Sequence, residues 1–295
     1  MPETFGYEVS EEQALAALRR AFRSPINFLD TAASYADGES ERRIGLVLTE
    51  LGGVPSGYVL STKADRDLRT GNFSGDQIKR SVERSLRLLA LDRLQLLFLH
   101  DPEHITFEQA MAPGGPVRVL QRLRDEGVIE HLGVAGGPID LMIRFLKTGA
   151  FEAVITHNRY TLLNRTAEPL LDFAARHGVP LLNAAPYGGG MLARGPEAFA
   201  RYAYQDAPPD LVARARGAAG VCERYGVPLA AAALQFSTRD VRILSTIVGI
   251  SSPERLDKTL TLAAFPISEP VWAELDRFAA WEGDPEGLRR SGASG

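Results

Sequence analysis

A parallel α/β barrel is the fold this sequence predicts, and three observations carry the prediction. Short apolar runs alternate with amphipathic segments along nearly the whole chain. Most of those runs are continuously apolar, not alternating, as in parallel strands covered on both faces. Polar, chemistry-bearing residues follow directly after several of them, at the strand ends where barrels of this class place their active sites. A length of 295 residues fits one large barrel as well as two average domains.

The strands are read in order as INFLD (26–30), YVLST (58–62), LQLLFLH (94–100), HLGVA (131–135), AVITH (153–157), PLLNAA (180–185) and STIVGI (245–250). Between them lie helical patterns such as SERRIGLVLTEL, GDQIKRSVERSLRLLA and AEPLLDFAARHG, several with Ser or Asp near the start and Gly at the end. A helix between each pair of strands makes every connection a crossover, which implies a parallel sheet. A (β/α)8 barrel needs eight strands, and seven are recognised. The chain opens with MPETFGYEVS and passes straight into a helix, so the expected fold is a (β/α)8 barrel lacking its first strand, with a chain that starts late. No linker interrupts the series. One barrel domain is expected over residues 1–281, with the polar, Gly-rich EGDPEGLRRSGASG (282–295) as a disordered tail.

Composition narrows the function. With 45% apolar and 24% charged residues and a net charge of −4, the chain has no electrostatic footprint for nucleic acid or an anionic membrane. Its basic stretches (ERRIG, KRSVERSLR) are interleaved with acids or apolar residues, as on solvated helix faces. The single Cys222 excludes an internal disulfide and a Cys-based zinc site, and its helical setting reads as a buried structural thiol. Without a signal peptide or a long apolar stretch, a reduced cytoplasmic setting is expected. His104, His131 and His177 read as loop or helix-end residues, and their spacing suggests no metal site.

Four polar residues at strand ends are the catalytic candidates: Asp30 and Tyr35 after the first run, Lys63 after YVLST, and His100 closing LQLLFLH. A tyrosine exchanges protons poorly at neutral pH, because its ordinary pKa is about 10. An adjacent ammonium favours the phenolate and makes the hydroxyl useful for proton transfer. A lysine emerging from an apolar strand needs an acid partner, which Asp30 supplies. His100 would orient and polarise the oxygen of a carbonyl or alcohol. The set suits proton exchange at a carbinol or carbonyl, with hydride passing to a cofactor.

INFLDTAASYADGESERRIG resembles the first signature of the aldo-keto reductase family, STKADRD its lysine strand, and RSVERSLRLLALDRLQLLFLHDPE its second signature with the histidine. The likeness runs from about residue 8 to residue 275. It implies Tyr35 as general acid/base, Lys63 lowering the Tyr35 pKa, Asp30 as partner of Lys63, and His100 positioning the substrate. HDPE, GVAGGPIDLM, HNRYTLLNR and NAAPYGGGMLARGPE are most similar to the aldose 1-dehydrogenase subgroup, which oxidises C1 of a sugar.

The cofactor is expected without a separate dinucleotide domain, since no GxGxxG follows a first strand. The candidate contacts are Asp30, His157, the PYGGGML stretch with Tyr187, Gly188, Gly190, Met191 and Leu192, and the GISSPERLDK stretch with Gly249, Ser251 and Arg255. The resemblance puts Gly249 where phosphate-selective relatives carry a lysine, keeps Arg255, and puts His157 at a glutamine position. Losing that lysine favours NAD over NADP. The usual Ser-Asn pair is Ala135-Gly136, a stacking tyrosine is Ala184, and the usual adenine-holding Glu and Asn are Lys258 and Thr259. The expected activity is oxidation of an aldose, a small-molecule substrate, to a lactone. The alternatives are NADPH-dependent reduction of small aldehydes or ketones, a non-catalytic cofactor-binding sensor or partner subunit, and an inactive truncated product. Specificity is expected in the loops 103–116 and 193–209.

Overall fold

The computed structural model describes residues 9–286. It forms two compact units, one running up to Ile155 and including Ile250–Leu256, the other made of Thr156–Gly249 and the residues from Asp257 on. All seven strands read from the sequence are present. They are β1 (Phe28–Asp30), β2 (Val59–Ala64), β3 (Leu94–His100), β4 (Ile129–Ala135), β5 (Ala153–His157), β6 (Leu181–Ala184) and, after a short hairpin of β7 (Arg201–Tyr202) and β8 (Gln205–Asp206), β9 (Ser245–Ile247).

In the first unit the strands pair in chain order and every pair is parallel. Asp30 lies opposite Ser61, Lys63 opposite Phe98, and His100 opposite Ala135. This register brings the C-terminal ends of β1, β2 and β3 side by side, which is what the site requires. The core behind it is dry: Leu97, Phe98, Leu99, Leu132 and Val134 are fully buried. A helix follows each of these strands. The helix Glu39–Leu51 leads from β1 to β2 and packs on Gly75–Leu89, which begins with the Ser74 side chain accepting from the Gln77 amide. The two helices meet so closely at Gly45 that a Cβ there would lie 2.0 Å from the Leu88 carbonyl oxygen, so only glycine fits.

In the second unit β6 pairs parallel with β9, Asn183 opposite Thr246. Its core includes Leu170, Leu171, Leu181, Ala231, Ala232 and Cys222, the thiol being buried as expected. Two features differ from the sequence reading. The 193–209 loop contains the β7–β8 hairpin, whose Tyr202 is buried and donates to the Asn158 carbonyl at 2.9 Å. Part of the stretch read as a disordered tail, residues 282–286, is bound instead. Buried Arg159 donates to Asp284 at 2.8 Å and to Glu286 at 3.1 Å, and the Trp281 amide bonds the Leu163 carbonyl. Two acids three to five residues beyond Trp281 neutralise a cation that has no other way to stay buried. Residues 287–295 lie outside the described residues.

Candidate active site

The four predicted catalytic residues meet in the first unit. Lys63 is 3% exposed and the Asp30 side chain 5%, so neither charge could persist without the other. The Lys63 ammonium contacts Asp30 Oδ2 and donates to the Thr31 carbonyl at 2.7 Å, while Ser61 Oγ donates to Asp30 Oδ1 at 2.6 Å. Two of the three ammonium donors are thus spent on Asp30 and the residue after it, and Nζ sits 5.0 Å from the centre of the Tyr35 ring. Desolvation pulls the Lys63 pKa down, but Asp30, Tyr35 and Asp65 outweigh it and the net direction is up: the lysine stays charged.

Tyr35 sits at the head of an unusual turn. Ala36, Asp37 and Gly38 follow it with φ of 50°, 51° and 87°, left-handed values that cost the two non-glycine residues about 1 kcal/mol or more each. Arg84 holds this turn, reaching the Asp37 carbonyl and its carboxylate, the latter at 2.9 Å. The Tyr35 ring lies edge-on to the His100 ring, with centroids 6.3 Å apart. The resemblance implied that Lys63 lowers the Tyr35 pKa, and Lys63 does pull it down, but the other groups around it outweigh that pull. Desolvation pushes it up, Lys63 pulls it down, and Asp30, Asp101 and Asp65 push it further up, so the net direction is above the ordinary value. The free site holds a protonated tyrosine beside a cation ready to stabilise its anion.

His100 is held at Nδ1 and faces a second acid beyond Nε2. Nδ1 lies 2.5 Å from Asp65 Oδ1, and Nε2 lies 3.6 Å from Asp101 Oδ1. Desolvation and Lys63 lower its pKa; Asp101 and Asp65 raise it more, bringing it to about 9. His100 is therefore an imidazolium at neutral pH, a charged hydrogen-bond donor. The consequence for stability has a definite sign. Below the unfolded pKa of about 6.5 both states carry the proton and the full contribution is present. Between pH 6.5 and 9 the unfolded chain has released the proton and the folded chain keeps it, so up to about 3 kcal/mol is lost across that window. Urea unfolding at pH 6 to 9 is expected to show this decline in the wild type and a flatter profile in His100→Gln.

Asp65 and Asp101 were not among the sequence candidates. Asp65 stands two residues after Lys63, on the same face of an extended strand, and a Lys-x-Asp spacing at a strand end was a usable signal. Asp101 directly follows His100 and takes a left-handed conformation, φ 45°, which turns it back toward the ring.

The cofactor candidates are placed as follows. In the second unit, Thr156 Oγ1, His157 Nε2 and Asn158 Oδ1 are buried and have no hydrogen-bond partner among the described residues. His157 Nδ1 lies 3.4 Å from Glu286 Oε1. Tyr187 precedes a tight turn, Gly188–Gly190, leading into the short helix Met191–Arg194. The amides of Gly188, Gly190 and Leu192 are taken by carbonyls of this same turn, and the Met191 and Leu192 side chains are fully buried. A Cβ on Gly249 would meet nothing within 4 Å. In the first unit, Ser251 precedes the helix Pro253–Ala263, where Ser252 Oγ accepts from the Arg255 amide at 3.2 Å and exposed Arg255 lies in the first turn. In the second unit the orphaned polar atoms suit an amide, and in the first the helix start with an arginine suits a phosphate, the two kinds of group that a nicotinamide dinucleotide carries. His104 lies in a 3-10 turn (Pro102–His104), His131 pairs with Glu152 on the surface, and His177 bonds the Phe173 carbonyl; among the described residues no cluster could hold a metal. Nor is any described helix long and apolar enough to cross a membrane.

Parallel strands with an Asp–Lys pair, a tyrosine and a histidine at their ends define an oxidoreductase of the α/β-barrel class. The chain belongs to the aldo/keto reductase family, whose model matches residues 3–280. It is 31% identical to a D-threo-aldose 1-dehydrogenase of Pseudomonas sp, over 90% of this chain and 88% of that one. It is 30% identical to an L-galactose dehydrogenase of Arabidopsis thaliana, over 85% of this chain and 78% of that one. These relatives match the aldose dehydrogenase subgroup. The aldo-keto reductase AKR11C1 from Bacillus halodurans in its holo form has the same fold, with a TM-score of 0.76 at 23% identity, covering 95% of this chain and 92% of that one.

Proposed function

We propose that the protein oxidises C1 of an aldose to the lactone, using NAD in preference to NADP. The observation that carries this reading is the setting of Tyr35 between the buried Lys63–Asp30 pair and the imidazolium of His100. His100 donates to the substrate oxygen and fixes where it sits. Tyr35, once ionised, takes the proton of the C1 hydroxyl, and Lys63 stabilises the phenolate that does so. Asp30 keeps Lys63 charged in a dry setting. A bound nicotinamide would supply the hydride acceptor. His157, with Asn158, is the candidate for its amide, and Ser251 with Arg255 for a phosphate. The absence of a side chain at Gly249 and the negative charge of Glu254 support NAD.

Incubating the purified chain with L-fucose, L-galactose or D-arabinose and either NAD or NADP tests this directly. NADH formation with stoichiometric lactone is expected for at least one sugar, with kcat/KM about tenfold or more higher for NAD. Turnover confined to NADPH and small aldehydes or ketones would replace the reading with the reductase one. A folded chain that binds dinucleotide but turns over nothing would favour a sensor.

A further inference from the structure

The carboxylate of Asp65 bridges two parts of the site that no other side chain connects among the described hydrogen bonds. It leaves the end of β2 on the same side as Lys63 and is 5% exposed. Oδ1 meets His100 Nδ1 at 2.5 Å, and Oδ2 accepts the backbone amide of Ser34, the residue immediately before Tyr35, at 2.8 Å. Its own backbone is anchored too: the Asp65 amide donates to buried Ser81 Oγ at 3.0 Å. A rigid carboxylate reaching a ring nitrogen with one oxygen and a neighbouring loop with the other sets a distance as well as a charge.

We propose that Asp65 is the positioning residue of this site, holding the His100 ring through Nδ1 and the start of the Tyr35 turn through the Ser34 amide. With Nδ1 committed as a donor to Asp65, Nε2 becomes the nitrogen that can serve a substrate oxygen. The groups facing His100 are Asp65 and Lys63 from β2, Asp101 after β3, and the Tyr35 ring after β1. Asp101 neutralises charge at Nε2 but touches neither Nδ1 nor the Tyr35 turn in any described hydrogen bond. Asp65 is thus the described partner of Nδ1 and leaves Nε2 to face outward.

Asp65→Asn separates these roles. An asparagine oxygen can still accept the Ser34 amide, while its NH2 would face Nδ1 and turn that nitrogen into an acceptor. The test is nitrogen NMR of histidine-labelled full-length protein, with the His100 signals assigned by their loss in His100→Gln. In the wild type, Nδ1 is expected to carry a proton at pH 7 and the ring to stay protonated to about pH 9. In Asp65→Asn the midpoint falls by about one unit or more, and above it the neutral ring has lost the Nδ1 proton and kept the one on Nε2. In Asp101→Asn the midpoint also falls, but above it the neutral ring keeps the proton on Nδ1. An unchanged His100 titration in Asp65→Asn overturns the proposal, and so does a wild-type Nδ1 without a proton at pH 7, a result available even if the variant fails to fold. The kinetic arm rests on the aldose dehydrogenase reading: kcat falls about 100-fold in Asp65→Asn with the KM for dinucleotide unchanged. If the wild type oxidises no sugar, that reading fails, while the NMR result still decides the role of Asp65.

Discussion

Tyr35→Phe is expected to lower kcat for sugar oxidation by about 10³-fold, within the range that a positioned general acid or base contributes. The substitution removes one oxygen and leaves the ring, its edge-on contact with His100 and the left-handed turn behind it in place. Dinucleotide affinity, read by fluorescence titration, should stay within about twofold, so the loss belongs to the chemical step. The wild type carries a second signature. Because Tyr35 is held protonated by desolvation and by three nearby carboxylates, oxidation needs its proton removed, and kcat should climb as pH rises. The residual activity of Tyr35→Phe should lack that climb. A Phe variant with wild-type kcat would remove Tyr35 from the chemistry and with it the mechanism proposed above.

The site was legible in the sequence to the extent that its residues follow apolar strands. Asp30, Lys63 and His100 each end or follow a run that could only be a covered strand, and the parallel order places such ends together. Asp65 and Asp101 were harder to see, because an acid in a loop is usually a solvated turn residue. What makes these two different is a tertiary fact, the approach of the His100 ring, at which the Lys-x-Asp spacing hints for Asp65 and nothing local hints for Asp101. The net pKa of Tyr35 was only partly legible for a related reason. A sequence shows which charges can be near, here one ammonium, but not the desolvation and the carboxylates that outweigh it. At the far end of the described chain, EGDPE (282–286) has the composition of a free tail. It is bound because Arg159, 125 and 127 residues away from its two acids, is buried and needs them.

Lys63→Met is the substitution expected to cost both fold and function. Methionine fills much the same space but cannot neutralise Asp30, whose side chain is 5% exposed and keeps only the Ser61 hydroxyl as a described partner. The Thr31 carbonyl loses its donor as well. Breaking a buried pair by removing one partner typically destabilises by about 3–5 kcal/mol, since the remaining charge pays its desolvation without return. Urea unfolding should register a loss of that size. The double variant Asp30→Asn with Lys63→Met takes out both charges and keeps the shape, so most of the stability should come back. Activity should not. With no ammonium beside it, Tyr35 loses the group that lowers its pKa while desolvation and carboxylates still raise it, so sugar oxidation should stay at least about 10³-fold below wild type in single and double variants alike. Stability recovered with activity still absent would separate the two duties of Lys63, one to Asp30 and one to Tyr35. If the single variant unfolds at the wild-type urea concentration, the buried pair is not holding this end of the strands, and the account of why Lys63 remains charged there must be abandoned.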